Sequence, residues 1–250
     1  YVSSALVQNY ARIDVAFERG EGAYLYANDG RRFLDFASGI GVTSLGHAHP
    51  EVTKALKDQA DKVWHVSNLY NIDPQTRLAE RLVAHSFADR AFFCNSGAEA
   101  VEASFKMARI YHSTNEDTAR YRVVTTANAF HGRTLATIAA GGQAKHLDGF
   151  GPRVDGFDQI ALNDLKAAKA AVGPETAAII VEPVQGEGGI HLADPDFLAG
   201  LRALCDEAGI LLIYDEIQCG MGRTGKLWAH EWSGVAPDIM TMAKALGNGF

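Results

Sequence analysis

The sequence predicts an α/β fold in which helices cover both faces of a mainly parallel sheet, with a small β-containing lobe at the amino-terminal end. Three observations predict it. From residue 91 onward, short apolar runs alternate with amphipathic helical stretches, the pattern of parallel strands joined by crossover helices. Glycine-containing turn signals crowd residues 1–50. Finally, a chain of 250 residues that is 47% hydrophobic can bury a sizeable core.

Residues 1–50 are predicted to form the amino-terminal lobe, as part of a small domain, and residues 51–250 a large domain. The lobe contains the alternating run 23–26 between glycine-containing turn signals, which is typical of short strands. From Pro50 onward, helical periodicity takes over. It predicts helices at residues 51–64, 74–85, 98–112 and 195–208.

Five apolar runs are the strand candidates of the large domain. A parallel strand normally continues into a crossover helix that packs back on the sheet. The sequence stops at Phe250, soon after the last of these runs. We therefore expect it to be truncated within a fold, with a carboxy-terminal domain outside it. The candidates are residues 91–94, 123–126, 177–181, 210–214 and 239–242.

Charge and composition disfavour several classes of function. Lys and Arg number 23 against 30 Asp and Glu, for a net charge of −7, and no basic face for nucleic acid is visible. No apolar run reaches the roughly 20 residues that a membrane helix needs. The three cysteines lie far apart with no C-x-x-C spacing, and Ala48 and Pro50 place His47 and His49 in a predicted loop. We expect a cytoplasmic protein that binds no metal, nucleic acid or membrane.

The residues that directly follow the apolar runs are the candidate site, because ligands of open parallel sheets bind outside the carboxyl ends of the strands. After the first run, Ser96, Gly97 and Ala98 begin a helix. Small residues at a helix start expose backbone N–H groups, and the helix dipole favours an anion there, so a phosphate site is predicted. An ordinary helix capped by Ser96 is the alternative.

Asp215 and Lys244 follow the last two runs. A carboxylate emerging from a buried strand needs a cationic partner, which is either a protonated pyridine nitrogen or a nearby Lys or Arg side chain. A lysine among apolar neighbours has a lowered pKa and becomes an amine that can form a Schiff base. An ordinary solvated lysine is the alternative.

Phe130 and Arg133 follow the second run. The phenyl ring could stack on a flat cofactor, and the guanidinium could bind a substrate carboxylate in bidentate fashion. A core aromatic and a surface salt bridge are the alternatives. Taken together, the strand ends offer a phosphate cradle, a stacking ring, an acid for a pyridinium and an amine for an aldehyde. No other common cofactor requires all four, so pyridoxal phosphate is the predicted cofactor.

With these residues in hand, the chain resembles the class III, or ornithine-type, aminotransferases of fold type I. The resemblance runs from about Tyr10 to Phe250 and is highly specific in its combination of motifs. It implies a homodimer that takes a small-molecule amino donor and a 2-oxo acid. The motifs are GEGAYLYANDG, DFASGIGVTSLGHAHP, FCNSGAEAVEASFKMAR, FHGRTLAT, VEPVQGEGGI, LLIYDEIQCGMGRTGK and PDIMTMAKALGNG.

The resemblance implies a role for each candidate residue. Lys244 would carry the cofactor and then move a proton between substrate and cofactor carbons. Arg133 would bind the substrate α-carboxylate, and Glu187 would act as a gate that pairs with a second arginine outside this sequence. The cofactor contacts would be Ser96, Gly97 and Ala98 to the phosphate, Phe130 on the ring, Asp215 to the ring nitrogen, Gln218 to the ring hydroxyl, and the neighbouring Glu216 and Ile217.

The expected reaction is transfer of the δ-amino group of N-acetylornithine to 2-oxoglutarate, in arginine biosynthesis. Succinylornithine, ornithine and 4-aminobutyrate aminotransferases and glutamate-semialdehyde aminomutase are the alternatives within the family. A nucleotide-binding dehydrogenase on a similar sheet is an alternative of another class, although no G-x-G-x-x-G follows the first strand candidate. A third alternative is a non-catalytic scaffold descended from the enzyme.

Overall fold

The computed structural model describes residues 5–250, which form two compact units. The smaller unit comprises residues 5–72 together with Gly247–Phe250, and the larger unit comprises Asp73–Leu246. In the part of the chain that is described, no helix is long and apolar enough to cross a membrane.

A three-stranded antiparallel sheet is the main feature of the smaller unit. Its strands are β1 (Phe17–Glu21), β2 (Tyr24–Ala27) and β3 (Arg32–Leu34), in that order. The alternating run 23–26 therefore lies largely in a strand, as predicted. Two helices follow, α1 (Ser38–Gly41) and α2 (Pro50–Ala60). The helix predicted at 51–64 ends earlier than expected, because Asp61 has left helical geometry at its carboxyl end.

A five-stranded parallel sheet is the centre of the larger unit. In chain order the strands of this unit are β4 (Arg122–Thr126), β5 (Phe157–Ile160), β6 (Thr176–Val181), β7 (Val184–Gln185), β8 (His191–Leu192), β9 (Leu211–Asp215) and β10 (Ile239–Thr241). The order of strands in the five-stranded sheet is β10-β9-β6-β4-β5, which confirms the predicted mainly parallel sheet. A small antiparallel pair, β7 and β8, lies outside it.

Helices cover both faces of this sheet. The helices are α3 (Asp73–Ala84), α4 (Gly97–Thr114), α5 (Leu135–Gly141), α6 (Ala144–Leu147), α7 (Leu165–Ala171) and α8 (Pro195–Ala208), with 3₁₀ helices at Ala229–Trp232 and Lys244–Leu246. Along β6, Ile179 and Val181 pack with residues of α7 and α8, whereas Ala178 and Ile180 pack with residues of α4 and α5. Burying one such isoleucine contributes roughly 1.5–3 kcal/mol, and a strand buried on both faces reads as a continuous apolar run.

The strand predicted at residues 91–94 is wrong, and one strand was missed. No strand within residues 5–250 pairs with residues 91–94, and the Phe92 side chain is 68% exposed. The missed strand is β5, which lies at the edge of the sheet and pairs with β4. In β5 only Phe157 and Ile160 are buried, while Asp158 and Gln159 between them bind side-chain and backbone partners. A search for apolar runs does not detect a strand with a polar centre.

Candidate active site

The carboxyl ends of four neighbouring strands bring the candidate residues together. Lys244 follows β10, Asp215 ends β9, Glu182 follows β6, and Phe130 comes after β4. These strands are adjacent in the order β10-β9-β6-β4. Residues far apart in sequence therefore meet at one edge of the sheet, as expected for ligand sites of open parallel sheets.

Lys244 is a half-buried amine at this edge. Burial lowers its pKa from the usual value for lysine, and the carboxyl groups of Asp215 and Glu182, where they are ionised, oppose this shift. Its φ of +46° is in the left-handed region, which costs a non-glycine residue roughly 1–3 kcal/mol. The amine is therefore more nucleophilic than that of a surface lysine, and two buried carboxylates act on it.

Asp215 is 2% exposed and has two hydrogen-bond partners. Its Oδ2 lies 2.7 Å from Nδ1 of His131, and its Oδ1 accepts the Ile217 N–H at 3.1 Å. His131 is itself buried, and its Nε2 has no hydrogen-bond partner among the described residues. The partner of Asp215 is therefore a histidine, which was not identified from the sequence although it lies in the FHGRTLAT motif.

Glu182 is a second buried carboxylate that sequence reasoning left without a role. It is 4% exposed, and its Oε2 accepts the Phe130 N–H at 3.1 Å. Burial raises its pKa well above the usual value, and the Asp215 charge raises it further. Its position directly after an apolar strand was the only signal in the sequence that could have found it.

The start of α4 packs closely against the turns that follow β4 and β9. Ser96 caps the helix, with its Oγ accepting the Glu99 N–H at 3.2 Å. The capping role given above as the alternative for Ser96 is therefore present. A Cβ on Gly97 would come within 3.0 Å of the Ile217 side chain, and a Cβ on Gly132 within 2.7 Å of the Ala98 Cβ. The first N–H groups of a helix have no partner within the helix, so this start can also bind an anion.

Glu187 lies in the loop between β7 and β8, among three side chains from the region of α6. Its carboxylate accepts hydrogen bonds of 2.7 Å from Gln143 Nε2 and from Lys145 Nζ. Burial opposes ionisation, but these hydrogen bonds outweigh it, so the pKa of Glu187 lies below its usual value. The His146 ring packs edge-on against Phe130 with 5.8 Å between centroids. Glu187 therefore shares one neighbourhood with the predicted stacking ring.

The remaining predicted residues have contacts of different kinds. The exposed Arg133 has its guanidinium carbon 5.8 Å from the centroid of the Phe130 ring. A Cβ on Gly186 would lie 1.6 Å from Oε1 of Gln218, so the Gln218 amide lies directly against the backbone of that loop. The Glu216 carboxylate accepts the N–H groups of Ala229 and His230, and its Oε1 also lies 2.6 Å from His230 Nδ1. Its side chain therefore anchors a 3₁₀ helix, and its contact with a cofactor stays a prediction.

Comparison with known proteins assigns the family. The sequence model of the family described as Aminotransferase class-III matches residues 5–250. The chain belongs to the class III aminotransferases. It is 61% identical over 247 residues to the acetylornithine aminotransferase of Mesorhizobium japonicum, covering 99% of this chain and 62% of that protein. The chain spans about 60% of the length of the curated relatives that it matches.

Solved structures of aminotransferases have the same fold. The ornithine aminotransferase of Toxoplasma gondii matches with a TM-score of 0.94 and 33% identity, over 98% of this class III chain and 58% of that one. The N-acetylornithine aminotransferase of Stenotrophomonas maltophilia matches with a TM-score of 0.82 and 43% identity, over 96% of this chain and 61% of that one. The fold predicted from the sequence and the suspected family are thereby confirmed.

Proposed function

We propose that the full-length protein is a pyridoxal-phosphate-dependent aminotransferase that moves the δ-amino group of N-acetylornithine to 2-oxoglutarate, with Lys244 carrying the cofactor. The observation that supports it most is a half-buried amine with a lowered pKa on which the charge of a buried carboxylate, Asp215, acts. Family membership and 61% identity to a protein named acetylornithine aminotransferase support it independently.

The residues present fit this cofactor. Asp215 is a buried acid whose protein partners are a histidine and a backbone N–H, so a cationic ring nitrogen would complete its charge balance. The start of α4 offers N–H groups for a phosphate, and Phe130 offers an aromatic face. Pyridoxal phosphate, when bound, accepts electron density from the substrate carbon that loses its proton.

The chain's own residues would bind the substrate and move the proton. Lys244 has a lowered pKa, so its Nζ can take a proton from the substrate carbon and return it at a second position. Asp215 would keep the ring nitrogen protonated, and Gln218 would hydrogen-bond the ring hydroxyl. Arg133 would bind the α-carboxylate through its planar guanidinium. Glu187, with a lowered pKa, would present a negative charge in the same neighbourhood.

The acyl group of the donor is the part of the proposal with rivals inside the family. Succinylornithine, ornithine, 4-aminobutyrate and glutamate semialdehyde all present an amine to the same lysine. The names of the relatives at 50–61% identity favour N-acetylornithine. Comparing kcat/KM for these amino donors with the full-length protein decides among them. A higher value for any donor other than N-acetylornithine refutes the substrate proposal and leaves the aminotransferase class intact.

We also propose that the full-length protein is a cytoplasmic homodimer. Three large apolar side chains of α4, Met107, Ile110 and Tyr111, are 38%, 57% and 49% exposed. Their spacing groups them on one side of the helix, and the buried residues Val101, Phe105 and Ala108 of the same helix pack into the core. Exposed apolar side chains grouped in this way are typical of interaction surfaces. Light scattering on the full-length protein measures the mass directly, and a monomer refutes this part of the proposal.

Reduction with borohydride tests the lysine assignment. The full-length protein is incubated with pyridoxal phosphate, reduced, digested and mapped by mass spectrometry. The label is expected on Lys244, because reduction makes the bond between the amine and the aldehyde permanent. Lys244→Ala should lose the label and the visible absorption band, whereas Lys169→Ala, at the end of α7, should keep both. A label on another lysine refutes the assignment.

A further inference from the structure

Glu182 has no role in the function proposed above, yet it is almost as buried as Asp215, with 4% of its surface exposed against 2%. It directly follows β6, which is the neighbour of β9 in the sheet. The carboxyl groups of Glu182 and Asp215 therefore lie at adjacent strand ends. The charge of Asp215 raises the pKa of Glu182, and both groups act on the pKa of Lys244. An arrangement of two buried acids requires an explanation, because two such groups do not both ionise without a large cost.

The two acids have different partners. Asp215 Oδ2 lies 2.7 Å from His131 Nδ1, and its Oδ1 accepts the Ile217 N–H at 3.1 Å. Glu182 accepts the Phe130 N–H at 3.1 Å. Burial and the Asp215 charge raise the pKa of Glu182, and they outweigh that N–H and the Lys244 charge. These effects favour the protonated form of Glu182.

The same two acids hold the segment that carries the aromatic ring. Phe130 and His131 follow β4, and β4, β6 and β9 are consecutive in the sheet. The Phe130 N–H binds the acid at the end of β6, and the next side chain, His131, binds the acid at the end of β9. Two consecutive residues are thus attached to two neighbouring strand ends. The main chain that carries the Phe130 ring is therefore held at two points.

We propose that Glu182 is a positioning residue of the cofactor site, which in its uncharged form anchors the Phe130 main chain and leaves Asp215 as the anion of the pair. This inference rests on the proposed function, in which Phe130 and Asp215 contact the cofactor ring. An ionised Glu182 would place a second negative charge near the Lys244 amine and the cofactor ring. The neutral acid keeps the hydrogen bond to Phe130 without adding that charge.

Two variants of the full-length protein separate charge from anchoring. Glu182→Gln is uncharged at every pH and keeps an oxygen that can accept the Phe130 N–H, whereas Glu182→Leu has similar size and no acceptor. The glutamine variant should bind pyridoxal phosphate as the parent does, and its visible absorption should titrate at the same pH. The leucine variant leaves an N–H without an acceptor, so its affinity for pyridoxal phosphate should fall by roughly 10-fold.

Either of two results overturns the proposal. A shifted titration of the visible absorption in Glu182→Gln means that the parent Glu182 is charged, and parent-like affinity in Glu182→Leu means that it anchors nothing. Should the leucine variant not fold, infrared spectra of the parent and Glu182→Gln without cofactor decide instead. The carbonyl band of a protonated carboxylic acid should be present in the parent and absent from the variant, and its absence from the parent overturns the proposal.

Labelling of Lys244 keeps this test separate from the test of the proposed function. If borohydride labels Lys244 in the parent while Glu182→Gln shifts the titration, the inference about Glu182 fails and the proposed function stands. If the parent carries its label on another lysine, the proposed function fails. The infrared result then still decides whether Glu182 carries a proton.

Discussion

Replacing Gly132 by alanine tests whether the turn that carries Phe130 and Arg133 is held against the start of α4. Gly132 has a φ of +128°, and a Cβ there would lie 2.7 Å from the Ala98 Cβ and 2.9 Å from Thr137 Oγ1. Backbone strain of this kind costs roughly 1–3 kcal/mol. Overpacking by one carbon adds roughly 1–3 kcal/mol. We therefore expect the variant to lose about 2–6 kcal/mol in the free energy of unfolding.

Urea unfolding of the full-length protein, followed by circular dichroism, measures this loss. Gly234→Ala is the matched control, because Gly234 has a φ of +69° and a Cβ added there would meet nothing within 4 Å. It should therefore show the backbone cost alone, roughly 1–2 kcal/mol. Gly132→Ala should also weaken the binding of pyridoxal phosphate, because the Ala98 main chain has to move. If Gly132→Ala loses no more stability than Gly234→Ala, the close packing that we describe is refuted.

Three further predictions concern buried side chains of the larger unit. Trp228 is 1% exposed, and its Nε1 donates to the His85 carbonyl at 2.6 Å. Trp228→Phe leaves that carbonyl without this donor, so the free energy of unfolding should fall by about 1–3 kcal/mol. An unchanged urea midpoint contradicts this prediction. The pKa of Lys244 in the folded protein lies below that of a lysine in the unfolded chain. Between these two pKa values the unfolded chain binds more protons than the folded one, so the stability of the cofactor-free protein should rise with pH over that range. Lys244→Met should remove that rise in urea titrations run at several pH values, and a persisting rise excludes Lys244 as its source. Burial raises the pKa of Cys205 to about 12 and also raises that of Cys219, so iodoacetamide should modify both thiols in urea and neither in the native protein, as read by peptide mass mapping.

Much of the site could be predicted because the candidates lie within a few residues after runs of apolar residues. Asp215 and Lys244 were chosen on that ground, and both lie at the same edge of the sheet. The helix predicted at 195–208 has the bounds Pro195–Ala208, since proline at its start and Gly209 after its end are local signals. Local chemistry and periodicity were sufficient for these features.

Other features depend on contacts between residues far apart in sequence. The sequence did not indicate that His131 is the partner of Asp215, that Glu182 holds the Phe130 N–H, or that the Glu216 carboxylate binds the 3₁₀ helix at Ala229–Trp232. Each is a hydrogen bond across 13 residues or more of sequence, and no local pattern encodes which donor a buried acid will meet. For the same reason, an apolar run at 91–94 was taken for a strand although it has no pairing strand within residues 5–250.

The sequence by itself determined the class of fold, the family and the residue types that stand at the strand ends, because apolar periodicity and the short motifs are properties of neighbouring residues. The tertiary structure alone decided the strand order, and with it which of those side chains become neighbours. Burial at that edge then sets the charge of each group, since the energy of an ionised side chain depends on what surrounds it in space.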